Sequence, residues 1–356
     1  MAVTKEPTAI ICLSPYSGGM EIDSIKMAKK IAPFSKTVII AKANHFITKE
    51  MQKQNEIVLE TISFKSNLGP SLIFGIRALV KKYKIKNVIF FGASELKSMY
   101  FSFLGLDINL IIRHGTTKSR PKKDWFHRLI YSKVNYHVAI CEHLAKNVKY
   151  IIPFGKKTQL KTIYSSIIIS KEPEPRNFNP PIKILNVSRI AEGKGHQDII
   201  KACEVLYENK IDFYLTLVGD GEEEYINSIK KLASNTSYNK KITFTGRSNN
   251  IPSHLNKNDI FLFPSAGEGL SNSFIEALSY GLVSIAYDNT SFQEFKEMGF
   301  YYHLAKDQNI QSLKSILLTI SINIQNEKRL AHQNIDISSE QFNAELEIKA
   351  YLKLLQ

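Results

Sequence analysis

Short apolar segments rich in β-branched residues alternate with segments of helical periodicity along almost the whole chain. In the first half these apolar segments are TAIICL, TVIIA, EIVLE, NVIFF, INLIIR and YHVAI. Residues 71–84, between two of them, have helical spacing. Nearly continuous apolar strands separated by helices are typical of a parallel sheet that is covered on both faces. The first half therefore predicts an α/β unit.

The pattern stops at residues 170–181, SKEPEPRNFNPP, and then starts again with IKILNV, FYLTLVG, ITFTG, DIFLFP and LVSIAY. Prolines and paired charges are typical of a linker. Because 356 residues are too many for one ordinary core, we predict two domains. Residues 1–170 and 182–337 would each form a Rossmann-like doubly wound domain, with residues 171–181 as the linker. Residues 338–356 are predicted to form one amphipathic helix that packs back on the first domain.

Basic side chains are concentrated in the first half of the chain. Residues 1–175 carry 28 Lys and Arg against 12 Asp and Glu, whereas the whole chain has a formal net charge of +14. We therefore expect the first domain to meet an anionic partner: a phosphorylated glycolipid, an acidic membrane surface or nucleic acid. Three scattered cysteines argue against a disulfide framework. The chain shows neither a spanning apolar segment nor a signal peptide, so a cytoplasmic location is expected.

The densest group of candidate residues lies in residues 264–281, PSAGEGLSNSFIEALSYG. Glu268 follows a predicted strand in a loop flanked by glycines, and Glu276 lies on the helix that comes next. The backbone N–H groups at the start of this helix, near Ser271, are suited to a phosphate group. A loop carboxylate can accept hydrogen bonds from sugar hydroxyls. The alternative is that both glutamates are solvated surface residues.

This segment resembles the E-x7-E motif of glycosyltransferase family 4, whose members are retaining enzymes with the two-domain GT-B fold. The resemblance continues upstream in the family's order, through VSR at 187–189, GKG at 193–195, VGDG at 218–221 and TGR at 245–247. It implies two Rossmann-like domains facing a cleft, and a donor site in the second domain. The donor-binding residues that it implies are Gly18, Gly19, Arg189, Lys194, Arg247, Gly269, Leu270, Ser271, Asn272 and Glu276.

The same resemblance implies the chemistry. A sugar would pass from a nucleotide-diphosphate donor to a glycan or glycolipid, with retention at the anomeric carbon and without a metal ion or other cofactor. Arg189 and Lys194 would hold the donor diphosphate, Glu276 the ribose and Glu268 the sugar hydroxyls. The sequence departs from the family after the motif, where it reads Gly281-Leu282-Val283-Ser284 in place of Gly-x-Pro-Val and Thr290-Ser291 in place of a Gly-Gly pair. These departures predict an altered sugar pocket.

Two features of the first domain resemble the family more loosely. Gly18 and Gly19 follow the first strand, where the family has a glycine loop that approaches the donor phosphate and the acceptor. A plain tight turn is the alternative. His114 ends the strand INLII, where many members carry a cleft histidine, and the resemblance implies a catalytic role beside Glu268. A structural histidine is the alternative there.

Several competing sites are disfavoured by spacing. The loop RIAEGKGH lacks the leading glycine of a P-loop, and Gly219-Asp220-Gly221 has Glu224 where a dinucleotide fingerprint needs its third glycine. His137, Cys141 and His143 lack a nearby fourth ligand for zinc.

The segment KSRPKKDWFHRLIYSK, residues 118–133, mixes basic and aromatic side chains. It is either a solvated loop or a surface for anionic glycolipid at the inner face of the cell membrane. Nucleic acid is disfavoured because no binding module accompanies the charge. Together with RHGT before it and VAICEHL after it, this segment resembles transferases of lipopolysaccharide or surface-polysaccharide synthesis. Two alternatives to that function are an epimerase or phosphorylase of the same fold and a non-catalytic basic binding protein.

Overall fold

The computed structural model describes residues 6–53, 57–167 and 178–356, and it divides the chain into two compact units. The first unit contains Met1–Ser165 together with Ala344–Gln356, and the second contains Ser166–Asn343. The predicted linker at residues 171–181 lies largely outside the described residues.

Each unit is built on a parallel sheet whose strands alternate with helices, as the apolar pattern predicted. The elements of the first unit are β1 (Thr8–Cys12), α1 (Gly19–Ile31), β2 (Thr37–Lys42), α2 (Phe46–Met51), β3 (Val58–Ile62), α3 (Pro70–Lys82), β4 (Asn87–Phe91), α4 (Leu96–Ser102), β5 (Asn109–His114), α5 (Trp125–Tyr131), β6 (Tyr136–Ala139), α6 (Glu142–Ile151) and β7 (Gln159–Thr162).

The second unit repeats this organisation and adds helices at its end. Its elements are β8 (Ile182–Val187), α7 (His196–Ala202), α8 (Glu204–Glu208), β9 (Phe213–Val218), α9 (Glu223–Ser234), a 3₁₀ turn (Asn239–Lys241), β10 (Ile242–Gly246), α10 (Ile251–Lys257), β11 (Ile260–Phe263), α11 (Asn272–Ser279), β12 (Val283–Tyr287), α12 (Phe292–Glu297), β13 (His303–Ala305), α13 (Ile310–Ile322), α14 (Ile324–His332) and α15 (Asn334–Gln341); α16 (Ala344–Leu354) returns to the first unit.

Both sheets reverse their strand order beside their first strand. The order is β3-β2-β1-β4-β5-β6-β7 in the first unit and β10-β9-β8-β11-β12-β13 in the second. The loops that leave neighbouring strands at such a point run in opposite directions and open a crevice at the carboxyl ends of the strands. This crevice lies between β1 and β4 in one sheet and between β8 and β11 in the other. The structure thus confirms the doubly wound α/β prediction.

The prediction of one helix over residues 338–356 is wrong. The structure has two helices, α15 and α16, because Phe342 breaks the helical path between them. The Phe342 ring is buried against Phe295 and Phe300 of the second unit. The side chains of α16, including Tyr351, instead join the core of the first unit beside α1. Each segment therefore buries its apolar face in a different core.

Two asparagine side chains bind the end of α16 to the first sheet. The Asn109 amide donates to the Leu354 carbonyl at 2.6 Å and to Asn87 Oδ1 at 2.7 Å. The Asn87 amide donates to the Leu355 carbonyl at 3.2 Å. These bonds satisfy carbonyls at the helix end that have no partner within the helix.

Asn109→Ala is expected to lower the free energy of unfolding of the protein by about 1–3 kcal/mol, because it leaves buried polar partners unsatisfied. Urea unfolding at fixed pH measures this change. Asp107→Ala is the matched control, since the Asp107 side chain is fully exposed and should leave the unfolding curve in place. Equal unfolding curves for Asn109→Ala and the wild type would show that the amide bonds contribute nothing.

Candidate active site

The loops that follow β8 and β11 are held together by backbone contact. Gly193 and Gly195 both have φ of +76°, and the Gly193 carbonyl accepts a hydrogen bond from Ala266 N at 2.8 Å, with Ser265 Oγ 3.1 Å away. A Cβ on Gly195 would lie 2.1 Å from the Pro264 carbonyl oxygen. A side chain at residue 195 is therefore incompatible with this approach of the two loops.

This contact brings Lys194 and Glu268 together, two residues that the sequence predicted for the same site. Lys194 Nζ lies 2.6 Å from Glu268 Oε1, and Ser265 Oγ donates to the same oxygen at 2.8 Å. The side chains keep 24% and 14% of their surface exposed, so a ligand can still reach the pair. A charge-assisted bond of this length fixes both side chains.

Thr290 also holds the Glu268 loop, a role that was not predicted from the sequence. Its Oγ1 accepts a hydrogen bond from Glu268 N at 3.1 Å. Its φ of +44° lies in the left-handed region, which is rare for a β-branched residue. The family places glycine in this segment, so a β-branched residue at a glycine position was the available signal. Backbone strain of this kind is often found at functional sites.

Helix α11 begins beside Glu268 and carries the other donor candidates of this segment. Ser271 caps the helix by accepting from Phe274 N at 3.3 Å. The Asn272 Oδ1 atom is buried and has no hydrogen-bond partner among the described residues. Leu270 is buried, so it can offer a ligand its backbone rather than its side chain. Gly269 is half-buried just before the cap, and Glu276 is half-buried in the second turn of the helix.

Arg189 and Arg247 lie elsewhere in the second unit. Arg189 is exposed after β8 and lines a cavity of about 570 Å³ with Glu192, Glu222 and Glu224. Arg247 is exposed after β10. Lys194 and Glu268 do not line this cavity, whereas they contact each other in the loops beside α11.

The segment Gly219-Asp220-Gly221 packs against the loop that carries Arg189. A Cβ on Gly219 would lie 1.8 Å from the Ser188 carbonyl oxygen, and one on Gly221 would lie 1.9 Å from the Ile190 carbonyl oxygen. Both glycines are thus required by close backbone packing, which explains the motif without a dinucleotide.

His114 lines a separate cavity of about 280 Å³ in the first unit, at the carboxyl ends of β1, β4 and β5. Arg113 and Lys118 share the lining. Arg113 is buried, with Asp23 Oδ2 at 2.8 Å and Ser165 Oγ at 2.6 Å from its guanidinium. Burial, with smaller effects of His137, Lys118 and Arg113, lowers the pKa of His114 well below its usual value. His114 is therefore neutral at pH 7.

Steric constraints on Gly18 and Gly19 are weak. Gly18 has an extended backbone at the start of α1, and a Cβ there would lie 3.2 Å from Glu21 Oε2, the end of a side chain. A Cβ on Gly19 would meet no atom within 4 Å. The turn itself therefore does not explain this pair.

The zinc interpretation of His137, Cys141 and His143 gains no support. Within the described ranges, no group of three or more His, Cys, Asp or Glu side chains could hold a metal ion. His137 is fully buried and bonds His114. Cys141 caps α6 by accepting from Leu144 N.

A basic and aromatic surface is formed by α5, the loop before it and the end of α6. Lys122 N donates to the Ile151 carbonyl, and Lys123 Nζ lies 5.7 Å from the centre of the Tyr150 ring. Trp125 and Tyr150 are 76% and 64% exposed. We call Arg120, Lys122, Lys123, Trp125, Arg128, Lys149 and Tyr150 the α5–α6 surface. In the part of the chain that the structure describes, no helix is long and apolar enough to cross a membrane.

Comparison with known proteins assigns the family. The sequence model of the family described as "Glycosyl transferases group 1" matches residues 169–334. Residues 169–334 belong to this family, and the chain is a glycosyltransferase. It is 27% identical over 251 residues to an uncharacterised glycosyltransferase of Haemophilus influenzae, a match that spans 67% of each chain. The capsular polysaccharide biosynthesis glycosyltransferase CapH of Staphylococcus aureus is 24% identical, over 71% of this chain and 73% of CapH.

The fold of this glycosyltransferase also matches a solved structure over nearly its full length. Anabaena HepE in complex with UDP and glucose superposes with a TM-score of 0.80 at 16% identity, and the match covers 98% of this chain and 99% of HepE. The GT-B architecture expected from the sequence is thus confirmed.

Gly195→Ala is expected to destabilise the glycosyltransferase much more than Gly105→Ala. Both glycines have similar positive φ, +76° and +71°, but a Cβ on Gly105 meets nothing within 4 Å. The left-handed conformation alone costs an L-residue about 1–2 kcal/mol, so Gly105→Ala measures that term. Gly195→Ala must also displace the Pro264 loop. Urea unfolding of both variants measures the difference, and equal losses would contradict the close contact.

Proposed function

We propose that this glycosyltransferase moves a sugar from a nucleotide-diphosphate donor to a glycan or glycolipid, with retention and without a metal ion. The observation that supports it most strongly is the Lys194–Glu268 pair at the start of α11, on two loops that leave the crevice of the second sheet. A cation, a carboxylate and free helix N–H groups at one place match the phosphates and hydroxyls of such a donor.

In this proposal the donor diphosphate lies against Lys194 and the first turn of α11, with Arg189 and Arg247 adding positive charge. An ammonium has three N–H donors, so Lys194 can contact a phosphate while it keeps Glu268 in place. Glu268 accepts hydrogen bonds from sugar hydroxyls, and Glu276 accepts them from the ribose. Gly18 and Gly19 admit the donor phosphate or acceptor close to the backbone, and His114 bonds the substrate.

The transfer breaks the bond between the anomeric carbon and the diphosphate oxygen. The acceptor oxygen forms the new bond on the same face, and its proton leaves with the departing diphosphate. Positive charge at Lys194 and the α11 N–H groups stabilises the negative charge that develops on the leaving group, which lowers the barrier.

Two substitutions are expected to distinguish binding of the donor diphosphate from binding of the donor sugar: Lys194→Met and Glu268→Gln. Lys194→Met should lose the rise in thermal midpoint that nucleoside diphosphates, UDP first, give the wild type. Glu268→Gln should keep that rise but lose the further rise given by the matching nucleotide sugar. Both should reduce transfer by about 100-fold or more, since each removes a charged contact. Lys230→Met, an exposed change on α9, is the control.

The same assay contains the outcomes that would contradict the proposal. Full transfer in either variant would refute the assigned site, and loss of transfer on chelation with EDTA would refute the metal-independent mechanism. Release of free nucleotide without an acceptor product would favour an epimerase, and dependence on inorganic phosphate would favour a phosphorylase. Inversion at the anomeric carbon, read by NMR of the product, would refute retention.

We further propose that the acceptor is an anionic glycolipid in lipopolysaccharide or surface-polysaccharide synthesis. The protein would work in the cytoplasm, held peripherally on the inner face of the membrane by the α5–α6 surface, and would not bind nucleic acid. The similarity to CapH supports the pathway. The exposed Trp125 and its basic neighbours support the membrane contact, because such a surface combines interfacial aromatic and electrostatic attraction.

The chain has one tryptophan, Trp125, so its fluorescence reports directly on this surface. Vesicles containing phosphatidylglycerol should shift its emission to shorter wavelength, and vesicles of phosphatidylcholine alone should not. Because the attraction is electrostatic, the shift should weaken at high salt. Replacing Lys122 and Lys123 by Gln should reduce it, whereas Lys230→Gln should not. An unshifted spectrum with acidic vesicles would refute the contact, and stronger binding to an oligonucleotide would favour nucleic acid.

A further inference from the structure

His137 is a buried titratable residue to which the proposed function gives no role. It lies on β6 opposite Ile112 of β5, so it shares a face of the sheet with His114, two residues further along β5. His137 Nδ1 and His114 Nε2 are 2.8 Å apart, which is a hydrogen bond. His137 is fully buried, and His114 lines the cavity of the first unit.

The His137 ring is fixed by its surroundings. The Tyr131 and Phe154 rings lie 5.7 Å and 5.1 Å away between centroids, and the His114 ring lies 5.0 Å away. Burial, with a smaller effect of Lys118, lowers the pKa of His137 to about 3. Because His114 is neutral as well, one proton lies between the rings, and either nitrogen can be its donor.

The far side of His137 distinguishes the two arrangements. Its Nε2 atom is buried and has no partner among the described residues. If His137 Nδ1 carries the proton, Nε2 has a lone pair that accepts no hydrogen bond. If Nδ1 is the acceptor, Nε2 carries an N–H that has no acceptor. Buried N–H groups without a partner are rarer than unsatisfied acceptors. The arrangement in which His137 Nδ1–H donates to His114 Nε2 is therefore favoured.

This arrangement determines what His114 offers to the cavity. Its Nε2 accepts from His137, so its own proton is on Nδ1, the ring nitrogen left for a ligand. We propose that His137 is a positioning residue that holds His114 as the neutral Nδ1–H tautomer, so that His114 donates a hydrogen bond to an oxygen of the bound substrate. The substrate role rests on the proposed glycosyltransfer, whereas the tautomer does not.

Two substitutions at residue 137 separate the hydrogen bond from packing. The amide nitrogen of Asn occupies nearly the position of the His Nδ1 atom, so His137→Asn keeps the donor. His137→Leu fills the same apolar surroundings and removes the donor, together with the orphaned nitrogen. Thermal unfolding of both variants checks that the fold is retained.

The first measurement is ¹⁵N NMR of the full chain labelled at histidine, with the His114 signals assigned from a His114→Asn sample. The wild type should show His114 as the Nδ1–H tautomer from pH 8 to pH 6, and so should His137→Asn. His137→Leu should move the His114 signals toward the Nε2–H tautomer. A wild-type spectrum with the His114 proton on Nε2 would overturn the proposal, even if His137→Leu does not fold.

The second measurement is transfer with the donor identified in the nucleotide screen. His137→Leu should lower kcat by about tenfold or more, as is usual when the partner that orients a functional histidine is lost, with little change in KM for the donor. His137→Asn should recover most of the rate. Equal rates in the two variants would overturn the positioning role. A wild type with the expected spectrum but no transfer would refute the proposed function and leave the tautomer assignment intact.

Discussion

The close approach of the β8 and β11 loops is the constraint on which the candidate donor site depends. Gly195 lies so near the Pro264 carbonyl that no Cβ fits between them, and the hydrogen bond from Ala266 N to the Gly193 carbonyl holds the loops in that position. Lys194 stands between these glycines, and Glu268 lies just beyond Pro264. The half-buried ion pair between Lys194 and Glu268 costs free energy because both charges lose hydration. The fixed backbone geometry and the hydrogen bond from Ser265 to Glu268 offset that cost.

The same topology produces a crevice in each unit, but the two crevices are lined by different chemistry. In the second unit it carries an ammonium, a carboxylate and a helix start. In the first unit it is lined by Arg113, His114 and Lys118, and burial lowers the pKa of Lys118 to about 8. At pH 7 the neutral histidines can donate or accept hydrogen bonds, and Lys118 is still mostly protonated. The fold thus provides a crevice in each sheet, and the residues at the strand ends determine the chemistry of each crevice.

Buried strands and glycine turns could be predicted from the sequence because each leaves a local pattern. The predicted segments that start at Thr8, Thr37 and Asn87 are strands in the structure. β7 was missed because QLKT is a short edge strand without an apolar run. The grouping of Lys194 with Glu268 was predicted from a family motif. The bond between His114 and His137 could not be, because their contact depends on the register of two strands and leaves no trace in their spacing.

The missed break at Phe342 shows why a helical pattern alone cannot assign a segment to a core. The choice of core depends on partners that are distant in sequence. Lys30 of α1 pairs with Glu347 of α16, and Asp23 of the same α1 pairs with Arg113 in the wall of the cavity. Asp23 and Lys30 are seven residues apart, so they lie on the same face of α1. This face therefore contacts both the returning C-terminal helix and a residue beside His114. Helix α16, near the end of the sequence, thus helps to hold α1 beside the cavity that residues 14–118 line.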